Sequence, residues 1–241
     1  AAAVLASAAL PGIAAGSSGT WTANVYSAGG VRWQDPDYNA CAATATLMML
    51  NFARASTPGA TDLVWHATTS YDAQENILAY SRSHMTMAVQ GTRGTDPVGW
   101  RNSLNDYGWG SVNAGVYTIQ TATSFLSAAK ASVEALARTD EPVAIAGWSG
   151  KHAQVMNGYK VTGGDPRVSS DFTILGVYIT DPLRSDGYRN HYTTNAQWSS
   201  GPSNIRFARY TYRDDPGRDA VDHGIGNDQW FNRWVMVVPG K

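Results

Sequence analysis

The stretch Trp33-Gln34-Asp35-Pro36-Asp37-Tyr38-Asn39-Ala40-Cys41-Ala42-Ala43-Thr44-Ala45-Thr46-Leu47-Met48-Met49-Leu50 decides how this chain is read. Turn-forming Asp35, Pro36, Asp37 and Asn39 run straight into Ala, Leu and Met, which are good helix formers. The pattern predicts a helix from about Cys41 to about Ala55, ended by Pro58-Gly59. Ala45, Met48 and Phe52 fall on one face of it with Met49 beside them, which makes the helix central. Cys41, the only cysteine in 241 residues, stands at the N-terminus of that helix. Unpaired backbone N–H groups and the positive end of the helix dipole favour an anion there, and a thiolate is an anion. Gln34 lies just upstream, placed to donate an amide hydrogen bond to an oxyanion forming beside the Cys41 backbone N–H. A lone cysteine is more often a small buried core residue. Its partners have to decide.

Those partners lie in the second half of the chain. Val143–Trp148 is a short apolar strand, Ser149-Gly150-Lys151 turns, and His152–Tyr159 is a second strand. A polar loop through Gly163-Gly164-Asp165-Pro166 leads to a third strand, Phe172–Thr180, which ends on Asp181-Pro182. Short connections between apolar strands predict an antiparallel meander. In such a meander the start of one strand lies near the end of the next, so the His152 imidazole and the Asp181 carboxylate come within reach. A cysteine at a helix N-terminus, a histidine to take its proton and a third group to orient the imidazole make a nucleophile triad.

Around this frame, Thr20–Trp33 reads as a strand or extended lead-in, and Asp62–His84 as helical in pieces, strongest over Asp72–Tyr80. Val98–Tyr107 reads as a short helix, Val116–Gln120 as a strand, and Thr123-Ser124 as the cap of a helix to about Arg138. Phe207–Tyr212 and Trp234–Val238 read as two more strands. Helices come first and strands after, which predicts an α+β fold.

Gln34, Cys41 on a helix, Lys151-His152-Ala153-Gln154-Val155 with Gly158-Tyr159, and Tyr178-Ile179-Thr180-Asp181-Pro182 together resemble the papain-like cysteine peptidases. The nearest likeness is to the bacteriocin-leader (double-glycine) peptidase branch and its secreted relatives. The resemblance covers roughly residues 34–183. It implies Cys41 as nucleophile, His152 as general base and acid, Asp181 as its orienter, Gln34 as oxyanion donor, and neither cofactor nor metal. Ala42-Ala43 depart from the pattern, since the family usually has Gly after the cysteine. There is no phosphate-binding G-x-x-x-x-G-K-[ST] motif, so the expected form is the stand-alone one and not the transporter-fused one.

A net charge of -1 and the lack of a basic run argue against nucleic acid and anionic membranes as partners. Residues 1–15 are apolar, uncharged and rich in small residues, like a secretory h-region, and are too short for a bilayer anchor. The expectation is a signal-peptide remnant over residues 1–16, one catalytic domain over 17–241, and a secreted monomer acting on peptide or protein. Gly147-Trp148-Ser149-Gly150 is not a serine-hydrolase elbow, because Lys151 stands where that motif needs Gly. Asp219, Asp222, His223 and Asp228 cluster late in the chain but match no metal loop; a solvated loop is the expectation. Rivals to peptide hydrolysis are an acyl transferase or amidase on the same triad, and a non-catalytic module that keeps the fold.

Overall fold

The computed structural model describes residues 19–35, 39–56, 72–85, 94–107, 117–183, 188–211 and 230–240. These form five helices and a seven-stranded antiparallel sheet: β1 Gly19–Asn24, α1 Cys41–Ser56, α2 Asp72–Ser83, α3 Pro97–Tyr107, β2 Thr118–Ala122, α4 Phe125–Thr139, β3 Val143–Gly147, β4 His152–Gly163, β5 Phe172–Thr180, β6 His191–Thr194, α5 Asn195–Ser200 and β7 Trp234–Val238. The expected α+β class is what the chain adopts. Among the described residues no helix is long and apolar enough to cross a membrane.

The strand order is β2-β7-β3-β4-β5-β6, and β4 is the spine. One edge of β4 pairs along most of its length with β5, from Val155 opposite Thr180 to Gly163 opposite Phe172. Its other edge is shared: β3 takes His152 to Met156, and β1 takes Gly158 to Gly163. Side chains of β3 alternate as the two-residue period of a strand requires. Val143 and Ile145 join α4, where Ala129, Val133 and Leu136 form the facing stripe. Ala144 packs instead with Met48, Met49 and Phe52 of α1. The sheet is therefore covered on both faces, which explains why β3 is buried along its whole length.

The first helix meets the sheet on one side and Ile77 and Leu78 of α2 on the other, through Ala43 and Leu47. Met48, Met49 and Phe52 are wholly buried. Each such side chain stabilises the fold by about 1.5–3 kcal/mol through apolar area removed from water. Cutting Met48 back to Ala would cost about 2–5 kcal/mol, because α1 has no solvent side onto which the gap can collapse. Ser124 caps α4 by accepting from Ser127 N–H at 3.1 Å.

Three expectations change. Helices and strands are not segregated along the chain: β1, within the expected lead-in, lies against the far half of β4, and β2 precedes α4. Phe207–Thr211 carries no ladder: Phe207 N–H bonds Trp198 O (2.9 Å) and Tyr210 N–H bonds Arg233 O (2.7 Å). Apolar residues alternate there because Phe207 and Tyr210 plug two separate cores. Third, β6 and α5 were not foreseen. Thr194-Asn195-Ala196-Gln197 is a capping box, with Thr194 and Gln197 each satisfying the other's backbone, and that signal was in the sequence. Residues 1–18 and the late cluster of Asp219, Asp222, His223 and Asp228 lie outside the described residues.

Candidate active site

Cys41 is the first residue of α1. Ala40 closes the helix start, since Thr44 N–H donates to Ala40 O at 2.8 Å. Cys41 as a residue is half-buried at the helix N-terminus.

His152 is the side chain that lowers the Cys41 thiol, by hydrogen bonding and by charge. His152 begins β4 and is 6 % exposed. Its Nε2–H is shared by both oxygens of Asp181, each at 3.0 Å. With Nε2 engaged, Nδ1 is the nitrogen left for the sulfur. Asp181 directly follows β5 and is wholly buried. It also accepts from Gln154 Nε2 (2.7 Å) and Leu183 N–H (2.7 Å). Four contacts on two oxygens leave the carboxylate one orientation. The antiparallel meander thus brings His152 and Asp181 together as its register requires, and α1 adds Cys41.

Burial alone would push the Cys41 thiol up. The His152 hydrogen bond, the charge on that ring, and backbone bonds from Ala153 and Ala42 outweigh it and hold the thiol below its ordinary value of 9.0. Burial alone would push His152 down. Hydrogen bonds to Asp181 and Cys41, and the negative charge of both, raise it instead to about 10. Both shifts favour thiolate with imidazolium over neutral thiol with neutral imidazole.

Gln34 enters from the other side. Its backbone N–H donates to Pro182 O at 2.8 Å, which ties the loop before α1 to the residue after Asp181. All four expected residues thus belong to one region, three in a single hydrogen-bonded chain and Gln34 anchored next to it.

Sequence reasoning missed three neighbours. Gln154 was quoted but given no part; it stands two residues along β4 from His152, and its Nε2 also donates to Asn204 O at 2.7 Å. Gly147 makes room for it, since a Cβ there would stand 2.8 Å from Gln154 Oε1. Trp148 lays its ring on that of His152, centroids 4.4 Å apart. It does so from a turn of three successive left-handed residues, Trp148 (φ 49°), Ser149 (φ 60°) and Gly150 (φ 92°). Non-glycine residues in that region cost about 1–3 kcal/mol each, so the surroundings must enforce the turn. Tyr210 does this by closing on Gly150, where an added Cβ would lie 2.5 Å from its ring. The third neighbour is Gln74 of α2, which bonds the backbone on both sides of Gln34. No local signal marks it, because its contacts lie up to 41 residues away.

Among the described residues no group of three or more His, Cys, Asp or Glu side chains is placed to hold a metal ion. No protein-family model, no curated protein and no solved structure matches the chain.

Proposed function

We propose that the chain is a cysteine peptidase of papain-like fold, hydrolysing peptide bonds through Cys41, His152 and Asp181 with Gln34 as oxyanion donor. The observation that carries this reading is the buried His152–Asp181 hydrogen bond coupled to Cys41 at a helix N-terminus, with the thiol lowered and the imidazole raised by their interaction. A core thiol needs no such chain, and a binding module gains nothing from a buried ion pair that is costly to assemble.

In this reading the Cys41 thiolate attacks the substrate carbonyl carbon, and the carbonyl π electrons move onto oxygen. Backbone N–H of Cys41 and the Gln34 amide donate to that oxyanion, which develops only in the transition state. The imidazolium gives its Nδ1 proton to the leaving amine as the C–N bond breaks, leaving a thioester on Cys41. Neutral His152 then takes a proton from water, and hydroxide attack on the thioester frees the acid and restores thiolate and imidazolium. Asp181 keeps Nε2–H engaged throughout, so Nδ1 remains aimed at the sulfur. The chain's export rests on residues 1–16, and N-terminal sequencing of secreted material tests it.

The deciding experiment digests a peptide library with wild type, Cys41→Ala and His152→Ala. New termini are expected with wild type only, with each variant down by about 10⁶-fold. Equal digestion by Cys41→Ala would sink the proposal. Acyl transfer to an added amine in preference to water would move the activity to transferase on the same triad.

A further inference from the structure

Gln74 is 3 % exposed, yet it is a glutamine inside a helix and reaches away from its own element. Its Nε2 donates to Trp33 O at 2.6 Å, and its Oε1 accepts from Asp35 N–H at 3.0 Å. These two backbone groups flank Gln34 on one side of an extended chain. The Gln34 N–H, on the opposite side, is held by Pro182 O at 2.8 Å. A primary amide has one donor end and one acceptor end, so it can stand in for a neighbouring strand where none exists. The same Oε1 is 2.7 Å from Thr44 Oγ1, three residues along α1 from Cys41. One side chain therefore references the loop carrying Gln34 to the helix carrying Cys41.

We infer that Gln74 is a positioning residue that sets where the Gln34 amide stands relative to the Cys41 sulfur. The inference rests on the proposed hydrolase reading. The Gln74 amide bonds Trp33, Asp35 and Thr44 and not the sulfur or the imidazole, so its removal leaves the thiolate formed and the oxyanion donor displaced. A displacement of about 1 Å at such a distance from the chemistry can cost about a hundredfold.

The test compares Cys41-dependent hydrolysis of 4-nitrophenyl acetate with the rate of Cys41 alkylation by iodoacetamide. Gln74→Met keeps the volume and removes all three bonds. The expected result is a fall in kcat of about tenfold to a hundredfold, with KM and alkylation within about twofold of wild type. In a Gln34→Ala background the same substitution should change kcat little, because the group it positions is gone. Equal losses with and without Gln34, or alkylation slowed as much as hydrolysis, would overturn the inference, since Gln74 would then only support the fold. Should Gln74→Met fail to fold, Gln74→Glu keeps acceptors for Asp35 and Thr44 and replaces the donor to Trp33 O by a carboxylate oxygen that repels it. A reduced kcat with normal alkylation supports the inference, and a wild-type kcat overturns it. A wild-type chain inert toward the ester defeats the hydrolase reading and the inference with it. An active wild type with Gln74→Met at full turnover defeats the inference alone.

Discussion

The two halves of the candidate site are held by different means. His152 and Asp181 sit at the paired ends of β4 and β5, so the backbone ladder from Val155–Thr180 onward places them. Cys41 and Gln34 sit on a helix start and a loop with no ladder, placed by Gln74, Thr44 and the Pro182 carbonyl. The half that must keep two partners in line is built on strands. The half that must admit a substrate carbonyl is built on side-chain tethers. Ladder bonds are many and redundant, whereas a tether is one or two bonds that a single substitution removes.

The largest break is at the ladder end. Asp181→Ala leaves the strands paired but strands the His152 Nε2–H and takes one of two acceptors from the Gln154 amide. Turnover should fall by about 10⁴-fold, less than for Cys41→Ala or His152→Ala, because thiol and base remain. Stability should drop by about 1–3 kcal/mol, because the buried His152 Nε2–H is left without its acceptor. Kinetics with denaturant melts checks both, and unchanged stability would mean that the carboxylate matters only to the chemistry.

Next comes the tethered half. Gln34→Ala should cost about a hundredfold to a thousandfold in turnover with little change in KM, since the charge it meets exists only in the transition state. Alkylation of Cys41 should stay fast. Alkylation slowed in step with hydrolysis would make Gln34 a shaper of the loop, and no effect on either would make it a bystander.

Much of this was legible. Short apolar runs bounded by turn residues marked β3, β4 and β5, and their short connections brought His152 to Asp181. A lone cysteine after a turn and before an apolar run marked the start of α1. The loop's tether was not legible. Gln74 lies in an amphipathic helix where a polar residue reads as solvent-facing, and only tertiary packing turns it inward. Trp148 was hidden for a related reason: no local preference favours a left-handed tryptophan, and it is the Tyr210 ring against Gly150 that enforces the turn.

The pH dependence separates the halves by a smaller effect. Alkylation of Cys41 should rise through a pKa below the ordinary 9.0, and His152→Ala should abolish that advantage, leaving burial to hold the thiol up. Turnover should fall about tenfold per unit above about 10, where the imidazolium loses its proton. The sign for stability is the same. A histidine raised in the native state stabilises fully below its ordinary value of 6.5, and that contribution fades as pH rises through about 10. An alkaline limb near 6.5 would mean that Asp181 and Cys41 do not hold the proton on His152.

The smallest effect asks whether the tether reaches the nucleophile helix. Thr44 is wholly buried, and its hydroxyl lies 2.7 Å from Gln74 Oε1 and 2.9 Å from Ala40 O. Thr44→Val keeps the shape and removes the hydroxyl. Ala40 O still accepts from Thr44 N–H, and Gln74 Oε1 still accepts from Asp35 N–H, so no buried acceptor is orphaned. The cost is then that of one hydrogen bond, about 1 kcal/mol, which corresponds to about fivefold if it is all felt in the transition state. Turnover on the ester should fall by about that factor while alkylation of Cys41 is unchanged. A larger loss than that of Gln34→Ala would show that α1 itself has moved, and alkylation would then fall too. Unchanged turnover would mean that Gln74 holds the loop without reference to α1. The tethered half would then be set by α2 and Pro182 alone, with Cys41 placed independently by the packing of its helix.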